Sequence, residues 1–308
     1  MWNSKVGELR AIAIAEQLSE GTSYKGTSRL TRSNPETVRR LAKRLGKHGE
    51  GFHDEKVMNL GSTALQGDKC WGYVAEKSQQ VWEAEVIDPA SRLVVARAQG
   101  ERDESLIRKV LTTGKKRLSR PQEVVLFSDG EPSYPKLFKD IFGQAYRPAR
   151  RGTRGRLPKL RYRLGRQQAH AQVIKQREGH SLVKVVVRLS HGSHKRLQLE
   201  LDRLAYNIAN TSVIERRNAT ARRMDAFSVR KSLSFARSPE SRDANGSWSM
   251  TVYNWARPHR ALKSPLPQPI GKRLFQHRSP AMAAGLTHFI WSVQDILRFQ
   301  LAPSKDTG

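Results

Sequence analysis

The sequence predicts an α/β protein with a mixed β-sheet, preceded by helices and interrupted by a basic insertion. Short apolar and β-branched runs follow one another from residue 70, "CWGYVA", "QVWEAEVI" and "RLVVARAQ", as adjacent antiparallel strands do. A helix-like stretch, "DESLIRKVLTTGKKRL", precedes a buried-type strand, "EVVLFSDG", and a second helix, "YPKLFKDIFG". Strands and helices that succeed one another in this way are typical of an α/β domain.

The first fifty residues are predicted to form three helices. "GELRAIAIAEQLSEG" has apolar residues at helical spacing and ends at Gly21. "SYKGTSRL" and a short break lead to "PETVRRLAKRLGKHG", where Asn34 and Pro35 give a helix-start signal. This order predicts a helix-turn-helix, although a small bundle with a solvated basic face is the alternative. The side chains expected to contact DNA are Arg39, Arg40, Lys43 and Arg44.

Charge is the strongest signal in the composition. Among 308 residues, 56 are Lys or Arg and 28 are Asp or Glu, which gives a formal net charge of +28. Such an excess would repel itself in a compact fold, so nucleic acid is the leading partner. An anionic membrane is the alternative, but stretches such as "AIAIA" are far too short to span a bilayer. "MWNSKVGELR" lacks the profile of a signal peptide, so we expect a cytoplasmic, nucleoid-associated protein.

A basic segment interrupts the α/β pattern. Residues 147–166 contain nine Lys and Arg and no acidic residue, which predicts a segment that follows a phosphate backbone or stays solvated. "AHAQVIKQREGHSLVKVVVRLS" behind it has the pattern of a β-hairpin. We therefore predict a basic insertion with a β-hairpin. Its expected DNA contacts are Arg150, Arg151, Arg154 and Arg156.

Three carboxylates are candidates for one catalytic site. Asp68 opens the first predicted strand, Asp129 ends the later buried strand, and Glu215 lies on a helix with no basic residue three or four positions away. Clustered carboxylates need a cation, which predicts Mg²⁺ or Mn²⁺, with two ions for phosphoryl transfer. The single Cys70 excludes a multi-cysteine zinc site. On spacing alone, Asp88 at another strand end is an equal candidate.

An ordered series of blocks gives a more specific indication. "DKCWGYVAEK", "QVWEAEVIDPASRLVVARAQGERDE", "FSDGEPSY", "NTSVIERRNATARRM", "VYNWARPHRAL" and "SPAMAAGLTHFIW" together resemble the IS1-type DDE transposases of bacterial insertion sequences. The resemblance implies an RNase H-like catalytic core. It implies that Asp68, Asp129 and Glu215 are the catalytic metal ligands, and it decides against Asp88. Lys69 departs from the family, which usually has glutamate after the first aspartate.

The resemblance implies a DNA transposase that cuts at insertion-sequence ends and joins the 3′-hydroxyl to target DNA. The Glu215 helix would bind DNA through Arg216, Arg217, Asn218, Arg222 and Arg223. Because two DNA ends must be paired, a homo-oligomer on DNA is expected. A decayed remnant that acts as a DNA-binding regulator is the alternative, since Lys69 changes the charge beside the metal. An RNase H-like nuclease is a second alternative.

The same patterns divide the chain into segments and place two tryptophans. Trp71 and Trp82 lie within strand patterns and are expected in the core rather than stacked on bases. The predicted segments are a helix-turn-helix at 1–50, a linker at 51–61, a first core part at 62–148, the basic insertion at 149–204, a second core part with the Glu215 helix at 205–262 and a C-terminal tail at 263–308.

Overall fold

A six-stranded mixed sheet forms the centre of the molecule. The computed structural model describes residues 6–149, 157–179, 181–229 and 232–302. The strand order is β3-β2-β1-β4-β7-β8, in which β1, β4 and β7 run parallel while β2, β3 and β8 run antiparallel to their neighbours. The predicted α/β class is confirmed, and the order is consistent with an RNase H-like core. The strands are β1 Ala64–Val74, β2 Glu76–Ile87, β3 Val94–Gly100, β4 Val125–Ser128, β7 Ala169–Glu178 and β8 Ser181–His191.

Helices cover both faces of this sheet. Adjacent residues of β2 point to opposite faces of the sheet. Val86 contacts Gly114 of a helix on one face, and Glu85 contacts Arg217 of a helix on the other face. The first face carries α4 (Glu104–Arg117) and α5 (Ser133–Phe142). The second carries α7 (Ser212–Met224) and α8 (Pro239–Trp255), while α6 (His194–Arg203) packs on β7. In the described ranges, no helix is both long enough and apolar enough to cross a membrane.

The three N-terminal helices form where the sequence predicts them, but the predicted linker is wrong over residues 51–56. The helices are α1 (Glu8–Ser19), α2 (Tyr24–Leu30) and α3 (Pro35–Lys56), so α3 continues through that segment. The glycines that indicated a loop are contact points instead, because a Cβ on Gly49 would lie 2.7 Å from Thr251 Oγ1 of α8. The three helices share one apolar core with the sheet. DNA binding by α3 stays a prediction.

The predicted hairpin forms but does not stand apart from the core as an insertion. Its first strand, β7, pairs in parallel with β4, and β8 pairs with β7 at the edge of the sheet. The buried half of β7 explains this position, because Ala169, Ala171 and Val173 pack against Val125 and Phe127 in a second apolar cluster. Ahead of this hairpin, strands β5 (Gln144–Tyr146) and β6 (Arg161–Arg163) pair with each other.

The predicted C-terminal tail is also integrated into the fold. Its strands β9 (Ser264–Ile270) and β10 (Arg273–Gln276) form a small sheet, followed by helices α9 (Pro280–Ala283) and α10 (Val293–Arg298). The ring of Phe52 on α3 lies 5.1 Å from Trp291 and 5.0 Å from Phe299, measured between centroids. His48 Nε2 lies 2.7 Å from the Ile296 carbonyl oxygen. These contacts close the core over α3.

Candidate active site

Asp68 and Asp129 lie side by side on neighbouring parallel strands. Gly67 of β1 is in register with Ser128 of β4, and the two aspartates are the next residues on each strand. Strand β4 ends at Ser128, so Asp129 stands at the carboxyl end of a buried strand, as the sequence predicts. Asp68 differs from the prediction in one respect, because it lies within β1 rather than at its start.

The two aspartates form one electrostatic unit with Glu215. The pKa of the Asp68 carboxyl is raised to about 7, first by burial and then by the charge of Asp129, with a smaller contribution from Glu215. Burial is also the main cause that raises the pKa of Asp129, and the charge of Glu215 adds to it. Carboxyl groups affect one another in this way only when they are close together. The charges of the three acids that the sequence singled out therefore interact with one another.

Gln66 anchors the helix that carries Glu215. Its side chain is fully buried and accepts a hydrogen bond from the Ile214 backbone N–H at 3.0 Å. The same amide donates to the Asn210 carbonyl oxygen at 2.9 Å. One turn further along α7, Asn218 Nδ2 donates to Asp68 Oδ2 at 2.8 Å. Two contacts thus fix α7 against β1 directly beside Asp68.

Glu215 takes its ionic partner from the sheet. Lys175 of β7 forms an ion pair with its carboxylate, and Thr211 Oγ1 donates a hydrogen bond to it at 2.6 Å. The Glu215 side chain is 44% exposed, so the group faces the solvent side of the site. The lack of a basic residue three or four positions away on the helix agrees with this ion pair to another element. Sequence spacing gave no sign of Lys175.

Lys69 does not direct its charge at Asp68. Consecutive residues of a strand point to opposite faces, and the Lys69 ammonium forms an ion pair with Glu131. Its backbone N–H donates to Asp68 Oδ1 at 2.8 Å, which favours the ionised carboxylate. Among the described residues, Lys69 therefore forms its ion pair with Glu131 and not with the Asp68 carboxylate.

A buried polar chain supports the loop that carries Asp129. Ser128 Oγ donates to the Asp129 carbonyl oxygen at 3.0 Å and lies 2.9 Å from His170 Nε2. His170 Nδ1 lies 2.6 Å from Ser190 Oγ, and burial lowers the pKa of this imidazole to about 3, so it is neutral. Neither His170 nor Ser190 stood out in the sequence, because a histidine in a strand pattern gives no signal of its partners.

The donor atoms fit a divalent cation in kind. Carboxylate oxygens are the ligands that Mg²⁺ and Mn²⁺ prefer. Among the described residues, neither Asp68 nor Asp129, both half-buried, forms an ion pair, and the nearby lysines pair with Glu131 and Glu215. Within the described ranges, no three His, Cys, Asp or Glu side chains are already arranged to hold a metal ion. A metal ion held by the two aspartates would gain Glu215 as a third ligand only if Glu215 left Lys175.

Asp88, the rival acid, has a structural task. It is buried, and its carboxylate accepts hydrogen bonds from the Ala90 N–H at 3.1 Å and from Ser91 Oγ at 2.5 Å. These bonds shape the turn between β2 and β3, as Asp side chains commonly do. The role of Asp88 is therefore to stabilise this turn, which differs from the role proposed for the acids around Asp68.

The structure corrects two of the residues predicted to bind DNA. Arg217 is 2% exposed, and its Nη2 donates to Glu85 Oε1 at 3.0 Å within the core. Its guanidinium also lies 4.5 Å from the centre of the Tyr253 ring. Asn218 is buried as well and is bound to Asp68. Neither side chain can reach a phosphate, because helical periodicity turns both inward.

The other predicted DNA contacts are partly accessible in this structure. Arg216 and Arg223 are exposed, and Arg222 is half-buried. Arg39, Arg40, Lys43 and Arg44 are exposed on α3. A cleft of about 690 Å³ lies beside α3, and Arg10 and Arg32 also line it. The predicted contacts that lie outside the described residues are Arg150, Arg151, Arg154 and Arg156.

The two tryptophans differ in burial. Trp82 packs against the apolar core, and the guanidinium of Arg102 lies 4.8 Å from its ring centre. Trp71 is 44% exposed, so its prediction as a core residue is wrong. The Trp71 ring lies 5.9 Å from the Tyr73 ring beyond the end of β4.

Comparisons with known proteins give little beyond this geometry. No protein-family model and no curated protein matches the chain. Among solved structures, the chain is similar to the crystal structure of the Mos1 strand transfer complex. The identity is 9% and the TM-score is 0.20, and the match covers 46% of this chain and 56% of that chain. Because a TM-score of 0.20 does not establish a shared fold, function is inferred from this chain's own residues.

Proposed function

We propose that this protein is an IS1-type DDE transposase that cuts DNA at insertion-sequence ends and joins the 3′-hydroxyl to target DNA. The observation that carries the proposal is the register of β1 and β4, which sets Asp68 beside Asp129. The charge of Glu215 reaches both aspartates, and these are the three acids that the sequence resemblance implies. The net charge of +28 supports DNA as the substrate.

The proposed reaction needs Mg²⁺ or Mn²⁺ as its cofactor. Asp68 and Asp129 would bind the metal, and Glu215 would complete the set of ligands. Two such ions supply an activated water or 3′-hydroxyl and stabilise the leaving oxygen of an in-line displacement. Asn218 fixes one oxygen of Asp68 by its hydrogen bond, and the His170–Ser128 chain holds the backbone of Asp129. These contacts orient the carboxylates before substrate arrives, which lowers the cost of reorganisation.

Lys175 has a specific place in this proposal. Its ion pair keeps the Glu215 carboxylate beside the aspartates without adding a third unpaired charge to them. If a metal ion were held by these acids, Glu215 would leave Lys175, and the lysine would then be free to contact a phosphate oxygen of the DNA. The paired state is the resting arrangement of the site.

The products of a strand-transfer reaction test the proposal. The purified protein is incubated with labelled DNA that carries the terminal repeats flanking its gene, with a target plasmid and with Mg²⁺. We expect cut ends and joined products, and neither in EDTA. Cutting without joining would indicate the nuclease alternative. Binding without metal-dependent cutting would indicate the decayed, regulatory form, and either result would overturn the proposal.

The proposed function also implies that several copies of the chain assemble on DNA. A transposase must hold two element ends together, so we propose a homo-oligomer formed on DNA. Light scattering of the protein alone and of its complex with terminal-repeat DNA measures the number of chains. A single chain on each paired-end complex would contradict this part of the proposal.

A further inference from the structure

A second basic cleft lies between α7 and the segment that follows α8. Its volume is about 470 Å³, and one wall is the exposed side of α7 while the other is the segment that follows α8. No acidic residue lines this cleft within the described part of the chain. We call it the α7 cleft; its basic residues are the arginines Arg216, Arg223, Arg257 and Arg260, together with His259.

The helix places this cleft close to the acid cluster. Arg216 and Arg223 are seven residues apart, so they share one stripe of α7 and lie about 10 Å apart along its axis. Glu215 lies about a quarter of a turn away on the same helix, since each residue rotates by about 100°. A strand that crosses α7 therefore reaches the α7 cleft and the acid cluster within one helix width.

The second wall comes from the "ARPHR" segment, to which the sequence assigned no role. Arg257 makes a surface contact with Glu20 at 3.3 Å, and Arg260 is exposed. The pKa of His259 is lowered, first by burial and then by the charges of Arg92 and Arg216. Cations crowded to this degree repel one another, and a bound anion would relieve that repulsion.

We propose that the α7 cleft binds backbone phosphates of the DNA strand that enters the acid cluster. Four arginines around one cleft suit phosphate oxygens, because a guanidinium can donate two parallel hydrogen bonds to them. This inference rests on the proposed function, and it adds the place where the substrate strand is held.

Salt-dependent DNA binding without metal tests the inference separately from catalysis. The affinity for a fluorescein-labelled duplex is measured by anisotropy in EDTA between about 50 and 200 mM salt. Arg216→Gln with Arg260→Gln removes one cation from each wall, both from exposed side chains. We expect the slope of log affinity against log salt to fall in magnitude by about 2, because each phosphate contact contributes about 0.9.

The matched control removes the same charge from the other face of the sheet. Lys109→Gln with Lys116→Gln changes two exposed lysines of α4, and it should leave the slope at the wild-type value. Equal slopes in the two double variants would overturn the inference. Arg223→Gln with Arg257→Gln repeats the test on the same cleft, so that one misfolded variant does not decide the result.

These experiments distinguish failure of the α7 cleft inference from failure of the proposed function. If the chain never cuts DNA yet the α7 cleft variants lose slope, the proposed chemistry fails and the binding site stands. If the chain cuts and joins DNA while the slopes do not differ, the chemistry stands and the cleft has no role in holding the strand.

Discussion

Asn218 of α7 donates a hydrogen bond of 2.8 Å to Asp68 of β1, and this bond joins the Glu215 helix to the acid cluster. The residue that the sequence suggested for DNA is thus a positioning residue for a carboxylate. Because Asn218 and Glu215 are three residues apart on one helix, any movement of α7 changes both acids together.

Asn218→Ala should weaken the site more than the fold. We expect a loss of about 1 to 3 kcal/mol in the free energy of unfolding, because a buried carboxylate loses a donor. The rate of strand transfer should fall by about 10- to 100-fold, as is usual when a partner of a metal ligand is removed. Asn207→Ala, at an exposed asparagine, is the control and should change neither quantity. Unchanged strand transfer in Asn218→Ala would contradict this role.

The Arg217–Glu85 pair should behave as part of the core. Arg217→Met leaves Glu85 buried without its partner, and we expect a loss of about 3 to 5 kcal/mol in urea unfolding. Arg217→Met with Glu85→Leu should recover most of that loss, because both charges are removed. DNA affinity of the double variant should equal that of the wild type. A DNA defect without a loss of stability would restore Arg217 as a DNA contact.

The close packing of α3 on α8 gives a third test. A Cβ on Gly46 would overlap the backbone of Ala244, so Gly46→Ala should cost about 1 to 3 kcal/mol of unfolding free energy. Gly61→Ala is the matched control, since no atom lies within 4 Å of its added Cβ. Loss of stability across the whole chain would show that α3 belongs to the main core. An unchanged melting curve would support the separate domain that the sequence predicted.

Stability without metal should fall as pH rises through the acid range. The folded pKa of Asp68 is about 7 and its ordinary value is 3.8, so the folded state holds a proton that the unfolded chain releases between these values. Over that window the free energy of unfolding should decrease by at most about 1.4 kcal/mol per pH unit. Asp68→Asn should flatten the curve, and the same slope in wild type and variant would contradict the assignment to Asp68.

Much of the sheet was accessible from the sequence, and so was the position of Asp129 at a strand end, whereas the catalytic role of the three acids stays a prediction. The alternating apolar runs gave β1 to β4, and the strand end gave Asp129, because these signals are local in the chain. The hairpin strand β7 was found as a strand but not as a sheet member, since pairing with β4 depends on residues far away in sequence. For the same reason, a glycine such as Gly49 reads as a loop until its helix partner is known.

The sequence could not show which of the charged side chains are buried. Arg216 and Arg217 are adjacent arginines of one helix, and only the position of Glu85 on β2 decides that the second one is internal. Lys175 and Lys69 likewise gain their roles from carboxylates on other elements. A helical wheel for α7 shows opposite faces, but it does not show which of them meets the sheet.

Binding of Mn²⁺ is the most direct test of the claim that Asp68, Asp129 and Glu215 form one metal site. Isothermal titration compares the wild type with Asp129→Asn, Glu215→Gln and the exposed control Glu76→Gln. We predict that Asp129→Asn abolishes binding, that Glu215→Gln weakens it at least about tenfold, and that Glu76→Gln binds as the wild type does. Equal Mn²⁺ affinity in the wild type and Asp129→Asn, or no binding by any of them, would contradict the account.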